Sequence, residues 1–157
     1  MLINETKNKV WHGRVKLADN FFKRFRGLML KSKIDYALVF VLPYETQLGA
    51  SVHMFLMLQS IDVIFLDTNR NVVDFVENLK PWRLYIPKDS AKYIVETPEG
   101  VVKHLNVEIG DKISWVVEKE KDKGIPAPMD AISKVDFSKI NNAISLEPNL
   151  KPKLKKP

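Results

Sequence analysis

His53 and Asp62 stand nine residues apart in the most apolar stretch of this chain, SVHMFLMLQSIDVIFL, from Ser51 to Leu66. Only His53, Gln59, Ser60 and Asp62 interrupt it with polar groups. An imidazole and a carboxylate brought together could perform general acid–base chemistry. They could equally form a buried polar pair that fixes strand register. The structural role is the preferred reading, because ion-pair networks perturb ionisation without catalysing anything. No catalytic residue is assigned on this basis; His53 and Asp62 are the candidates. A second group is Trp82, Arg83 and Tyr85, just after Pro81. With His53 and Asp62 they could line the open end of a β-domain and hold an anionic or sugar-like ligand, the guanidinium matching a carboxylate or phosphate. A large aromatic such as Trp82 more often covers one end of a core.

Other chemistries find little support. There is no GxSxG elbow, phosphate-binding loop, GxGxxG or HExxH. His12, His53 and His104 are far apart and lack ligand spacing, and the chain has no cysteine. No metal site and no cofactor are therefore expected.

These residues must be positioned by strands. Lys9 to Leu17 alternates, with Trp11, Val15 and Leu17 on the apolar face, His12 facing out, and Gly13 a candidate bulge. Tyr36 to Leu42 is a continuous apolar run that fits a strand buried on both faces, ended by Pro43. Ser51 to Leu58 reads as one strand and Ile61 to Asp67 as the next. In the latter, Asp62 shares a face with Ile64 and Leu66, so its carboxylate must be hydrogen-bonded, paired or shifted in pKa. Val72 to Glu77 returns as a hairpin partner, and Lys92–Glu96 and Lys112–Val117 alternate further. Val101 to Val107 fits either a short strand or a helical turn. One amphipathic helix is expected over about 19–30, capped by Asp19, with Phe21, Phe22, Phe25, Leu28 and Met29 on one stripe. Lys23, Arg24 and Arg26 then form its wet side. The fold class is all-β: a small sandwich or barrel of seven or eight short strands with that helix packed on it.

The net charge of +6 is uneven: residues 1–120 carry +2 and residues 121–157 carry +4. The expected domain spans 1–119, and 120–157 is a basic, Pro-containing extension, partly extended or mobile. That extension could serve a protein partner or self-association. Its lysines could touch phosphates without specificity, so no specific nucleic-acid partner is expected. No apolar run is long enough to span a membrane, and the N-terminus lacks the apolar stretch of a signal peptide. The expected location is the cytoplasm, with no membrane partner. The Lys-rich, cysteine-free composition suits a thermophile.

Several segments together resemble a known family. Arg26-Gly27-Leu28-Met29 resembles the RGLM signature of domain-of-unknown-function family 192, also catalogued as uncharacterised protein family 0127. Ile61 to Asp67, IDVIFLD, is similar to its LDIIFID segment, and Pro81, Tyr93–Glu96 and Gly110-Asp111 follow in family order. The resemblance covers roughly residues 10–117 and implies a small β-sandwich or barrel domain with no established activity. Where many bacterial relatives read WMKNT, this chain reads His53-Met54-Phe55-Leu56-Met57. Only Met54 matches, so chemistry of the family's Lys–Asn pair does not transfer; Met54, Asp62 and Asp67 carry over as positions. The favoured function is a non-enzymatic small-ligand binding module. The alternatives are an enzyme using an Asp62/His53 acid–base pair, and an interaction domain that docks through its C-terminal tail.

Overall fold

The computed structural model describes residues 1–18 and 28–117. All of these belong to the unit Met1–Lys119. Most of the expected 19–30 helix and the whole extension from 120 lie outside the described residues; Leu28 to Leu30 form a turn.

Five strands make the central sheet: β3 (Arg14–Ala18), β4 (Tyr36–Thr46), β6 (Ile61–Leu66), β7 (Val72–Leu79) and β9 (Ala91–Pro98). Their order is β3-β4-β9-β6-β7. The β3/β4 pair is parallel and the others are antiparallel. A parallel pair needs a long crossover, and residues 19–35 separate these two strands in sequence. Apolar side chains lie on both faces of this sheet, which explains why all six residues of β6 are buried. Ile61, Val63 and Phe65 point into one core with Phe40, Met54 and Ile94. Ile64 and Leu66 point into the other with Val39, Val95 and Leu105. The period-two assignment of β6 from sequence therefore holds.

Each face carries its own cover. On the second core lie a three-stranded sheet and a short helix, α1 (Val101–Leu105). That sheet joins β1 (Leu2–Asn4), β2 (Lys9–Trp11) and β10 (Ile113–Trp115) in the order β10-β1-β2. On the first core lies a two-stranded ribbon of β5 (Val52–His53) and β8 (Leu84–Tyr85). The result is a mainly-β fold of ten strands among the described residues, and it does not close into a barrel.

Three segments differ from expectation, each for a local reason. Lys9 to Leu17 is two strands in two sheets, broken at His12-Gly13. A side chain at Gly13 would fall 2.0 Å from the Trp11 ring, so the indole occupies the space that any larger residue would need. The strand from Tyr36 continues through Pro43 to Thr46, because its pairing with β9 shifts register between Val41 and Thr46 and leaves Pro43 outside the ladder. Ser51 to Leu58 is a strand only at Val52–His53. Leu56 then adopts a left-handed φ of 56°, and Met57 N–H closes a turn on the Met54 carbonyl.

Candidate functional site

Asp62 is fully buried on β6 and faces the second core. Its Oδ1 accepts the Asn78 N–H at 2.9 Å. Its Oδ2 accepts the N–H groups of Gly100 at 2.8 Å and Val102 at 3.0 Å. Opposite Asp62, the β6/β7 register shifts, and Asn78 takes a left-handed φ of 52° that turns its N–H toward the carboxylate. Gly100, at φ 91°, precedes α1 and offers no side-chain cap. Asp62 supplies the cap from a neighbouring strand, satisfying first-turn N–H groups that have no partner within the helix. Both oxygens thus bond to backbone donors, which is the arrangement of a structural carboxylate.

Asp62 and His53 are not paired. The consecutive antiparallel strands that would have joined them do not form: β6 lies between β9 and β7, whereas β5 pairs with β8. The aromatic group also disperses. The Tyr85 hydroxyl donates to Asp74 Oδ2 at 2.8 Å, and its ring stacks on Phe65 at 5.6 Å within the first core. Burial, reinforced by the Asp74 carboxylate, pushes the Tyr85 phenol up to about 12. Trp82 and Arg83 are exposed. Their role is in the backbone: Trp82 N–H donates to the Met54 carbonyl, and the Arg83 carbonyl accepts Met54 N–H, extending the β5/β8 ribbon.

The concave site lies on the first core instead. A cavity of about 130 Å³ is lined by Leu28, Met29, Phe40, Val52, Met54, Met57, Ile61 and Ile94, with Ser51, His53 and Glu96 as the polar side chains. Glu96 lies on the central strand β9, between Leu38 of β4 and Val63 of β6. It shares the face of Ile94. No described residue donates a hydrogen bond or presents a cation to its carboxyl, and burial alone pushes its pKa up to about 8. At neutral pH this group is largely protonated, and can both donate and accept a hydrogen bond. His53 stands at the edge of the same cavity, its ring stacked 5.3 Å from that of Phe55. Among the described residues, no three His, Cys, Asp or Glu side chains gather as a metal site.

Of the candidate ligand-binding residues His53, Asp62, Trp82, Arg83 and Tyr85, His53 alone lines this cavity. Glu96 was missed, though the argument applied to Asp62 would have found it: alternation places it beside Ile94 on an apolar face. The motif positions have structural work. Met29 and Met54 line the cavity and Leu28 is buried beside it. Asp67 accepts the Asn71 backbone N–H at 2.8 Å and closes the β6–β7 turn. Pro81 sits in the turn before β8, and Gly110 turns at a φ of 90°. Asp111 Oδ2 accepts from Asn4 Nδ2 at 2.8 Å and the Glu108 N–H at 2.9 Å. Arg26 and Gly27 lie outside the described residues.

Residues 2–115 match the family DUF192, described as Uncharacterized ACR. A UPF0127 protein of Thermococcus sibiricus is 62% identical, covering 99% of each chain. A UPF0127 protein of Pyrococcus horikoshii is 58% identical over 73% of this chain and 98% of its own length. Among solved structures, a protein of Sinorhizobium meliloti shares the fold with a TM-score of 0.63 at 22% identity, covering 72% of this chain and 88% of that one. A Novosphingobium aromaticivorans protein of unknown function gives 0.58 at 22%, covering 66% and 75%. The chain belongs to the DUF192 family, whose members matched here carry no established activity. The curated relatives come from thermophilic archaea. No helix among the described residues is long and apolar enough to cross a membrane.

Proposed function

We propose that this member of the DUF192 family is a small-molecule binding module whose site is the Glu96 cavity. The observation that supports the reading is the Glu96 carboxyl itself. A buried polar group without a partner among the described residues carries a desolvation cost; a ligand that hydrogen-bonds to it recovers part of that cost. At about 130 Å³, the space compares with the engineered cavities of ~150 Å³ that take up benzene. It is well below the ~300–1,000 Å³ of drug-sized sites. A nucleotide or disaccharide is too large. The ligand's charge follows from the lining. Arg83 is not part of it, and among the described residues of the lining no Lys or Arg accompanies the Glu96 carboxyl that an anion would meet. The preferred ligand is therefore a neutral or basic molecule of roughly benzene size, with one hydrogen-bonding head directed at Glu96.

The test is thermal unfolding of the full chain with benzyl alcohol, benzylamine and benzoate. Through linkage, the alcohol and the amine are expected to raise the midpoint of the wild type and benzoate to leave it unchanged. Glu96→Leu should abolish both shifts. A shift by benzoate alone, or none by any compound, contradicts the reading.

A further inference from the structure

The outer surface around the β5/β8 ribbon has a composition that the cavity does not explain. Val52 and Tyr85 face one another across the ribbon and pack on the first core; of the other cross-strand pair, Leu84 is exposed and His53 is half-buried at the cavity edge. Phe55 stacks on His53, and Trp82 lies 6.4 Å from Phe55. Ile86 is two residues beyond Leu84. Leu56, beside Phe55, accepts the Leu30 N–H through its backbone carbonyl. Trp82 is 63% exposed, Leu84 60% and Leu30 60%, and Phe55, Leu56 and Ile86 are each more than two-fifths exposed. Exposed apolar residues scattered singly need no explanation; a contiguous group including an aromatic pair does.

The charge on these segments is one-sided. Residues 30–33, 51–60 and 80–88 contain Lys31, Lys33, Lys80, Arg83 and Lys88, and no Asp or Glu. Lys31, Lys80, Arg83 and Lys88 each lie within two positions of an exposed apolar residue. An apolar centre with an aromatic anchor and a mainly basic border, which Asp35 and Asp89 bound in sequence, is complementary to an interface that is apolar inside and anionic outside.

We propose that this face docks on the surface of a bilayer rich in anionic lipid, with Trp82 and Phe55 entering the headgroup boundary and the basic border resting on phosphates. The proposal concerns the outer surface and stands whether or not the Glu96 cavity binds a ligand.

Flotation of the full chain with vesicles tests it. The wild type is expected to float with phosphatidylcholine–phosphatidylglycerol vesicles and to remain in solution with phosphatidylcholine alone. F55S/W82S and K80E/R83E should each lower the bound fraction about tenfold or more, since each lipid-proximal charge contributes roughly a fivefold effect. K103E, on α1 at the other core, should bind as the wild type does. All substituted side chains are exposed, so unchanged far-ultraviolet dichroism is expected to certify folding. Flotation that survives F55S/W82S, or that K103E weakens equally, would assign the attraction to diffuse charge and overturn the proposal. Absence of flotation would overturn it too, as would a wild-type dimer that F55S/W82S dissociates, since the face would then meet a second copy.

Discussion

At the scale of single residues, two carboxyl groups on neighbouring strands have opposite fates. Asp62 faces the second core and accepts three backbone N–H groups. Glu96 faces the first core and accepts none from the described residues. Removing Asp62 leaves three backbone donors unpaired, that of Val102 buried and those of Asn78 and Gly100 part-buried. At ~1–3 kcal/mol for each unsatisfied group, and with partial relaxation, Asp62→Ala should cost about 3–5 kcal/mol. Denaturant unfolding should read that loss, with Asp62→Asn intermediate because it keeps one acceptor. Glu96 instead makes stability depend on pH. Its pKa rises from an ordinary 4.5 to about 8, so between those values the folded state holds a proton that the unfolded state has released. Its contribution is complete below about pH 4.5, and is lost as pH rises through about 8. The thermal midpoint of the wild type should fall across that window, and Glu96→Gln should flatten the fall. A slope unchanged by Glu96→Gln would count against the isolated carboxyl. Asp62 was legible as a polar residue on an apolar face. Its partners were not, because they come from Asn78, Gly100 and Val102, brought close only by a bulge and a turn.

At the scale of elements, alternation was informative where a strand lies in the central sheet. The two faces of β6 follow from its sequence alone, and so does the burial of Ala37–Phe40 in β4, whereas Val41 at the end of the expected run is exposed. Alternation failed where apolar residues serve a surface or a cavity. Ser51 to Leu58 is as apolar as a core strand, yet Met54 and Met57 turn inward while Phe55, Leu56 and Leu58 remain exposed. Sequence cannot separate these uses, since hydrophobicity reports transfer from water and not its destination. The break between β2 and β3 is a second example. Sequence alone makes Gly13 a candidate bulge; in the structure it is the site where the Trp11 ring crosses the backbone. Gly13→Ala should displace the indole and cost about 1–3 kcal/mol, as overpacking does. Chemical denaturation should show the loss together with a change in tryptophan emission; unchanged stability would mean the ring moves aside freely.

At the scale of the whole molecule, a central sheet with a core on each face lets one chain carry two different surfaces. The β1-β2-β10 sheet and α1 complete the second core, with the Asp62 cap and the Asn4–Asp111 bond holding chain segments that are distant in sequence. The β5/β8 ribbon covers the first core less fully, and the cavity remains beneath it. We propose that residues 1–119 fold without residues 120–157. The Pyrococcus horikoshii relative supports this, being matched over 98% of its own length by 73% of this chain. Truncation after Lys119 should leave a cooperative thermal transition; its loss would make the extension part of the fold. The measurement that bears most directly on the Glu96 site is a carbon-13 NMR titration of the Glu96 side-chain carboxyl in the free protein. A midpoint near 8 is the result expected of a carboxyl buried in an apolar cavity. A midpoint near the ordinary 4.5 would mean that water or a cation already solvates the group, and would contradict the account.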